Sequence, residues 1–574
     1  MTLSDYIVLI GYVAGVFAIG GLFGGKIKSS RDMFAAGGSS PWWVSGLSGF
    51  MTMFSAGTFV VWGGIAYKHG AVAISISLCY GISALLVGWF IAGKWNKIGI
   101  TTAAEFIELR FGKAALQFYT WSGMTYKLIS VGVALYSVAV LLSALVSLPE
   151  GMPFRDAVTG NLGLSWAIVI FGGIVVAYTV IGGLWAVLMT DVLQFIVLAL
   201  AVTLVAPLIL AHPDVGGISG FLAQAPEGFL SPVSGDFTWI FLVAWTAIHV
   251  FIIGGEWAFV QRFLCVPTEQ DARKSSWLFG VMYLISPILW MLPPMVYRLI
   301  NPDADPKEAY ILACREVLPP GVVGLMLAAM FSATASMVDS QLNVFSGVLT
   351  RDFYRNMYRP DASEKSLVNV GRIITVFLGS LLIALALAVP YLGGAENVIL
   401  SITSLIVVPL LAPTVWGLLS SRIGRKSVWL TAGICFFAGA TVNFGFAEGG
   451  FFADVSVLTA ISEWIQSNLR LVQQLVGVLL PVLILSVLEL TGKSIDEGWL
   501  RVEKNIPVTL STTEASALPA RVVAWSMLLL GTLMSVLALV HRESITVLLT
   551  FSAVMIIIGT SVSLYIRNAK KHKK

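Results

Sequence analysis

The sequence predicts an all-α, polytopic membrane protein, and three features of its composition carry that prediction. Of its 574 residues, 57% are hydrophobic and only 11% are charged, and the mean hydropathy is +0.87. Soluble proteins carry about 25% charged residues, and a water-soluble globule of this size has too little interior to hide so much apolar surface. The composition therefore excludes a soluble enzyme, a nucleic-acid-binding protein and a disordered scaffold.

Apolar runs of roughly 17–25 residues, long enough to cross a bilayer, predict about 15 transmembrane helices. Because the predicted number is odd, the two termini are expected on opposite sides of the membrane. The predicted spans lie near residues 4–24, 42–66, 71–97, 115–147, 162–182, 186–211, 238–264, 276–300, 320–349, 367–390, 395–420, 427–447, 468–490, 520–540 and 543–566.

The distribution of Lys and Arg orients these spans, because cytoplasmic loops carry an excess of both residues. With the N-terminus outside, the cytoplasmic loops and ends hold 27 of the 35 Lys and Arg residues, and the outer side holds 7. We therefore expect a multi-pass protein of the cell (inner) membrane, surrounded by the lipid bilayer, with its N-terminus outside and its C-terminus in the cytoplasm.

The predicted loops leave no room for a soluble catalytic or signalling domain, since none exceeds about 30 residues. The sequence has no Walker A glycine loop, which argues against an ATP-driven pump. Its five histidines are scattered, and its four cysteines lie far apart without metal-ligand spacing. We expect a protein that is not an enzyme, that has no cofactor besides a coupling ion, and that needs neither nucleic acid nor an obligate protein partner.

Two predicted spans carry helix-weakening residues near their centres. One of these spans contains the stretch 248–255, with His249 and the Gly254-Gly255 pair. Gly-interrupted helices in corresponding positions of two halves indicate a transporter's substrate site, whereas close helix packing through small residues is the alternative for either stretch alone. The other span is the stretch 42–67, whose small or polar residues at mid-span are Gly49, Thr52, Ser55, Gly57 and Thr58.

Six motifs follow one another between residues 30 and 430: RDMFAAGGSSPWW (31–43), AAEFIELRFG (103–112), YTVIGGLWAVLMTDVLQ (178–194), QRFLCVPTEQDARK (261–274), GLMLAAMFSATASMVDSQL (324–342) and LVNVGR (367–372). In these motifs the chain resembles the sodium/solute symporter family, which contains bacterial carriers of sugars, proline, pantothenate and sialic acid. The resemblance implies the leucine-transporter-type fold, in which two inverted five-helix repeats each begin with a helix that is unwound at mid-membrane. The implied units are an N-terminal helix with a cytoplasmic loop (1–41), a first repeat (42–212), a second repeat (237–421) and accessory C-terminal helices (427–574).

One face of a predicted helix carries candidate cation ligands at i, i+3, i+4 and i+7, namely Ala333, Ser336, Met337 and Ser340. The resemblance implies that this face opposes the break in the first core helix. The backbone carbonyls of Met51 and Phe54 would then complete a sodium site with the Ala333 carbonyl and the Ser336 hydroxyl. Such oxygens can replace the hydration shell that a cation sheds in the membrane.

Met337 departs from the family pattern, which usually has a second Ser or Thr at that position. A thioether is a poor ligand for a hard cation. An alternative register moves the motif back to Ser332-Ala333, and it also loses one hydroxyl. Helix packing through hydroxyl groups is the remaining alternative for this face.

Two carboxylates inside predicted spans are further candidates, because burying a charge near lipid costs several kcal/mol. Asp191 lies in a motif that matches the family's cation-linked aspartate, and Asp339 stands where some relatives have a serine of a second sodium site. Both can neutralise a bound sodium ion. The alternatives are that burial lets the pair hold a proton, which would give proton coupling, or that Asp191 is simply hydrated near a cytoplasmic helix end.

The candidate substrate residues depart from those of the sugar carriers. Where such relatives have Gln, Glu, Asn and Lys, this sequence has Thr58, Ser77, His249 and Tyr283. A hexose would lose the hydration of its hydroxyls without recompense, so a sugar is disfavoured and a small organic acid or amino acid is preferred. The full candidate set is Thr58, Ser77, Tyr80, His249, Tyr283 and Thr403.

Three further ionisable side chains lie within or near the predicted spans, and the sequence suggests a state or partner for each. His249 could pair with a substrate carboxylate if it is protonated, or it could be neutral and satisfied by a neighbouring carbonyl. Lys127 is expected to snorkel toward the cytoplasm. Glu256 is expected to pair with a cytoplasmic basic residue, because it lies close to the Gln261-Arg262 pair.

We therefore expect a secondary active transporter that imports a small polar organic solute together with sodium by alternating access. A proton-coupled symporter of the same fold and a membrane sensor derived from a transporter are the alternatives. The sensor would need an output domain, and the 491–520 loop is too small for one.

Overall fold

The computed structural model is all-helical across the residues it describes. These are residues 2–24, 39–392, 395, 399, 403–446, 450–452, 455, 457–506, 518–540 and 545–571. The predicted loop at 25–38, with most of the first motif, and the tail at 572–574 lie outside the described residues. Within the described ranges the only β pairing is isolated bridges, so the predicted all-α class is confirmed.

In the first part of the chain, the described residues form nine α-helices. They are α1 (Leu3–Gly24), α2 (Trp42–Met53), α3 (Gly63–His69), α4 (Val72–Phe90), α5 (Ala92–Lys97), α6 (Ala103–Phe111), α7 (Lys113–Leu145), α8 (Leu164–Leu210) and α9 (Gly217–Gln224). A π-helical turn, Thr58–Trp62, leads directly into α3.

The described residues of the second part begin with α10 (Trp239–Gly255), α11 (Trp257–Leu264), α12 (Glu269–Ile300), α13 (Ala309–Val317), α14 (Val322–Val348), α15 (Glu364–Ala388) and α16 (Val408–Leu419). The remaining helices are α17 (Arg425–Ala440), α18 (Thr459–Ser467), α19 (Leu469–Gln474), α20 (Leu480–Thr491), α21 (Glu497–Asn505), α22 (Leu518–Val540) and α23 (Ile545–Lys571). Short π-helical or 3₁₀ segments follow or precede several of them, namely Leu349–Tyr358, Val389–Leu392, Thr403–Val407, Thr441–Gly445 and Leu475–Leu479.

Seven helices of the described residues are long and apolar enough to cross a membrane, and two bent helix pairs raise that number to nine. Six shorter apolar segments, of 10–17 residues, accompany them. The chain is therefore a multi-pass membrane protein, while the count of about 15 spans stays a prediction. One difference is clear: α8 runs without interruption through the two spans predicted at 162–182 and 186–211, because the intervening residues include neither a proline nor a charge that would end the helix.

The two bent pairs lie where the sequence predicted broken helices. The first broken helix consists of α2 and the segment Thr58–His69, bent by 58°. The second broken helix consists of α10 and α11, bent by 53°. Phe54 in the first pair and Glu256 in the second take an extended backbone conformation where the helix breaks.

The Gly254-Gly255 pair does not itself unwind, because α10 continues through both glycines and stops at Glu256. A Cβ atom on Gly254 would come within 2.9 Å of Ile91, and one on Gly255 within 2.8 Å of Val415. The glycines therefore let neighbouring helices approach closely, as the packing alternative held, and the predicted break follows immediately after them.

The N-terminal helix α1 is fixed against α14 by a carboxylate. Asp5 is buried, and its Oδ1 accepts hydrogen bonds from the backbone N–H groups of Gly321 (2.7 Å) and Gly324 (2.9 Å). These N–H groups have no partner within α14, because Gly321 is its N-cap residue and Gly324 lies in its first turn. A Cβ atom on Gly324 would meet the Asp5 carbonyl oxygen at 2.3 Å, so only glycine permits this contact.

A Gly324→Ala variant is expected to displace α1 from α14 and to destabilise the protein by about 1–3 kcal/mol, the usual cost of overpacking. Thermal unfolding of the detergent-purified protein measures the effect. The matched control is Gly433→Ala in α17, where nothing lies within 4 Å of the added methyl group. Equal unfolding temperatures for the two variants would contradict the close contact between α1 and α14.

Candidate functional site

The site begins at the first break, where the backbone leaves the helical ladder. Phe54 is extended (φ −93°, ψ 134°), and its N–H turns back to the Met51 carbonyl at 3.1 Å. Beyond the break, the Ala56 N–H donates to the hydroxyl of Thr334 on α14 at 2.8 Å. Sequence reasoning missed Thr334, which ties the unwound segment to the helix that carries the candidate cation ligands.

A buried carboxylate connects three helices beside this break. Asp191 on α8 is fully buried and accepts hydrogen bonds from the hydroxyls of Ser48 on α2 and Ser336 on α14. Its other neighbour is the guanidinium of Arg262, whose Nη2 lies 3.7 Å from Asp191 Oδ2. The interpretation of Asp191 as a hydrated residue at a helix end is wrong, because no part of its surface is exposed.

Arg262 lies on α11 and is only 1% exposed. Its Nε donates to the Ser48 hydroxyl at 3.1 Å, and its Nη2 donates to the Ser340 hydroxyl at 2.6 Å. Its Nη1 donates to the Ala258 carbonyl of its own helix at 3.1 Å. The distribution of Lys and Arg assigns Arg262 to a cytoplasmic loop. In the structure its side chain is instead buried and contacts Asp191 and Ser340.

The predicted cation face of α14 is divided between two surroundings. Ala333, Ser336 and Ser340 of this face are fully buried, and so is the neighbouring Asp339. Met337 is only partly buried and lines the cavity described below. The thioether that departs from the family pattern therefore turns toward the cavity, while the hydroxyl of Ser336 faces Asp191. Met51 and Phe54, the two predicted carbonyl ligands, are also fully buried.

A central cavity of about 110 Å³ lies between the two broken helices. A single water molecule needs roughly 10–15 Å³ of such space, so the cavity has room for several waters or a small solute. Four of the six predicted substrate residues line it, and the cavity also touches the chain on both sides of the first break. These four residues are Thr58, Tyr80, His249 and Thr403.

The other two predicted substrate residues do not line this cavity. The Ser77 hydroxyl donates to the Ala73 carbonyl of its own helix at 2.9 Å. Tyr283 is buried between rings, with its centroid 4.7 Å from that of Phe50 and 5.3 Å from that of Tyr80. The structure thus places both behind the wall of the cavity, because helix register, not sequence position alone, decides which face looks inward.

His249 sits on an aromatic wall of the cavity. Its Nδ1 lies 2.7 Å from the Trp245 carbonyl, and because a carbonyl can only accept, this nitrogen carries the proton. Its ring is 4.3 Å from that of Tyr80 and 4.7 Å from that of Trp245. The arrangement agrees with the alternative in which a neighbouring carbonyl satisfies the imidazole.

A buried ion pair also lines the cavity. Lys127 Nζ on α7 lies 2.7 Å from Glu256 Oε2, and Gln341 Nε2 on α14 donates to Glu256 Oε1 at 2.9 Å. The expectation that Lys127 snorkels to the cytoplasm is wrong, because its side chain is only 10% exposed. Glu256 does pair with a basic residue, but that residue is the intramembrane Lys127 and not a cytoplasmic one.

Comparisons with known proteins agree with this architecture. The profile of the sodium:solute symporter family matches residues 33–432. The sodium/sialic acid symporter NanT of Aliivibrio fischeri is 28% identical over 403 residues, which cover 66% of this chain and 75% of the relative. The sodium/glucose cotransporter of Vibrio parahaemolyticus is 28% identical over 435 residues, 69% of this chain and 76% of the relative.

The fold is also similar to that of a solved protein. A Na⁺-coupled sialic acid symporter, determined in a substrate-bound outward-open state, superposes with a TM-score of 0.67 at 21% identity. The match covers 84% of this chain and 98% of that one. The predicted leucine-transporter-type class is thereby confirmed, and the relatives, all named as transporters or symporters, point to a protein that is not an enzyme.

Proposed function

The chain belongs to the sodium:solute symporter family, and from that premise we propose that it couples the import of a small solute to the inward flow of sodium. The observation that carries the proposal is the meeting of two bent helices at one cavity, with the Asp191–Ser336 contact beside the first bend. Unwound carbonyls at such breaks are where transporters of this architecture bind a coupling ion and a solute.

The sodium site in this proposal uses oxygen atoms alone. The carbonyls of Met51, Phe54 and Ala333 and the hydroxyl of Ser336 supply neutral oxygens, the donor class that hard cations prefer. Asp191 holds the Ser336 hydroxyl and contributes a nearby negative charge. Met337 has no part in the site, since its side chain lines the central cavity.

The solute in this proposal carries a carboxylate. The cavity offers the Lys127 ammonium group, and Trp245 contributes to its aromatic lining. The Glu256 carboxylate beside Lys127 can receive a solute ammonium group, so an amino acid suits both charges. A small organic acid or an acidic sugar could also bind the Lys127 ammonium group through its carboxylate. The expectation that sugars are disfavoured has no support, because the relatives include a glucose cotransporter and a sialic acid symporter.

The topology in this proposal follows the distribution of Lys and Arg. We infer that the N-terminus lies outside and the C-terminus in the cytoplasm of the cell membrane. The two repeats are the units 42–212 and 237–421, each of which contains one of the broken helices. Alternating access then moves one group of helices relative to the other around the central cavity.

The proposal is tested by sodium-dependent binding and uptake. In a panel of amino acids, small organic acids, acidic sugars and neutral hexoses, we expect a carboxylate-bearing solute to raise the unfolding temperature in sodium but not in potassium. Labelled solute that passes this test is then offered to proteoliposomes under a sodium gradient, a proton gradient or neither. Accumulation driven by protons alone would contradict sodium coupling, and stabilisation by hexoses alone would contradict the carboxylate class.

A further inference from the structure

A buried arginine on α6 joins three segments that are distant in the sequence. The Arg110 side chain is buried, and its Nη1 pairs with Asp496 Oδ1 at 2.5 Å. Its Nε donates to the Gly417 carbonyl at 3.2 Å, and its Nη2 donates to the Ser420 carbonyl at 3.1 Å. Because a buried guanidinium needs both hydrogen bonds and a compensating charge, these contacts fix α6 against the end of α16 and against the chain that follows α20.

The helix α21 lies directly on α6. Asp496 is the N-cap residue of α21, where its Oδ1 also accepts a hydrogen bond from the Gly498 N–H at 2.8 Å. A Cβ atom on Gly498 would come within 1.9 Å of the Arg110 carbonyl oxygen, so only glycine permits this approach. Further along α21, Arg501 Nε donates at 2.9 Å to the carbonyl of Leu109, which lies in the last turn of α6 and has no partner within that helix. The docking of α21 thus depends on the Arg110–Asp496 pair and on close backbone contact.

The start of α6 lines the last of three cavities that are connected through shared lining residues. The central cavity shares Lys127 and Glu256 with a second cavity of about 20 Å³. That cavity shares Trp257 with a third one of about 20 Å³, whose lining includes Ala103 and Ala104 of α6. A water molecule needs roughly 10–15 Å³ of such space, so each small cavity has room for one water and neither admits a solute. Passage of a solute through this series therefore requires α6 to separate from α11 and α14, which also line the third cavity.

We propose that α21 is a cytoplasmic latch, which holds α6 over the cytoplasmic end of the solute path until the Arg110–Asp496 pair breaks. This inference rests on the proposed import function and on its topology, which places α6 and α21 on the cytoplasmic side. Asp496 is suited to a reversible contact, because its side chain is 27% exposed and water can solvate the carboxylate when the pair opens. The accessory part of the chain, outside both repeats, thereby controls how readily the path opens to the cytoplasm.

The latch is tested by the reactivity of a cysteine placed in the third cavity. Ala104 is fully buried there, so an Ala104→Cys protein purified in detergent is expected to react slowly with a maleimide. Two additional changes open the latch, since Asp496→Asn removes the charge and Gly498→Ala forces α21 away from α6. Each is expected to raise the rate of labelling roughly tenfold, the factor that one lost hydrogen bond to a charged group supplies. Glu503→Gln is the matched control, because it removes an exposed charge from the same helix.

The native cysteines distinguish opening of the path from loss of the fold. An unchanged rate of labelling at position 104 in a folded Asp496→Asn or Gly498→Ala protein would overturn the inference. Faster labelling of the native cysteines would overturn it as well, because it would indicate general loosening of the protein. Labelling needs neither sodium nor solute, so its result is independent of the sodium-driven uptake that tests the proposed function. The native cysteines are expected to stay unreactive in every variant because they are buried, namely Cys79, Cys265, Cys314 and Cys435.

Discussion

A Lys127→Met variant is expected to lose about 3–5 kcal/mol of folding stability, the cost of leaving one member of a buried ion pair without its partner. The lost contact is the 2.7 Å pair with Glu256. Gln341 would still donate to that carboxylate, but a neutral amide cannot compensate a charge in the membrane interior. Thermal or denaturant unfolding of the purified protein measures the loss.

The double variant Lys127→Met/Glu256→Gln distinguishes the stability of the pair from its function. Removing both charges leaves two uncharged side chains of similar volume, so most of the stability is expected to return. A carboxylate-bearing solute is expected to stabilise neither the single nor the double variant, because the cavity then has no ammonium group. Recovery of both properties together would contradict a direct role of the pair in solute binding.

Ser130→Ala is the matched control for these variants. Ser130 lies on the same helix and lines the same cavity, but its hydroxyl donates to the Tyr126 carbonyl of its own helix at 3.0 Å. We expect its unfolding temperature to stay close to that of the wild type. If Lys127→Met were equally stable, Lys127 would be hydrated, and the interpretation by snorkelling would be correct after all.

The sequence predicted which of these residues lie within the membrane, but not which neighbouring helix each side chain faces. Hydropathy placed Lys127 within a span, and glycine and serine content placed both breaks within a few residues of Phe54 and Glu256. The partner of Lys127 could not be inferred from the sequence, because Glu256 lies 129 positions away, at the break between α10 and α11. Pairing across helices depends on their rotation about their own axes, which a span length does not specify.

Arg262, near the end of a predicted span, is a second residue whose partner could not be predicted from the sequence. Its place in the 261–274 motif suggests a loop charge, yet α11 stays buried after the break at Glu256 and places the guanidinium beside Asp191. A signal was present, since Glu256 and Arg262 flank one short amphipathic segment. Knowing which side chain met which acid required the 53° bend between α10 and α11.

Replacing Ser336 with alanine is expected to have the largest effect on sodium. The change removes one oxygen from the proposed sodium site and one hydrogen bond to the fully buried Asp191. A hydrogen bond to a charged group contributes about 1.5–3 kcal/mol. We therefore expect the sodium concentration for half-maximal uptake to rise roughly 10- to 100-fold, since each 1.4 kcal/mol is about tenfold.

Two variants on the same helix make this result specific. Ser346→Ala removes a buried hydroxyl that donates to the Asn343 carbonyl at 3.3 Å, and its sodium dependence is expected to match the wild type. Ser336→Thr keeps the hydroxyl and is expected to restore most of the sodium affinity. An unchanged sodium dependence in Ser336→Ala would remove this oxygen from the ion's surroundings, whereas equal losses in Ser336→Ala and Ser346→Ala would indicate damage to the packing of α14.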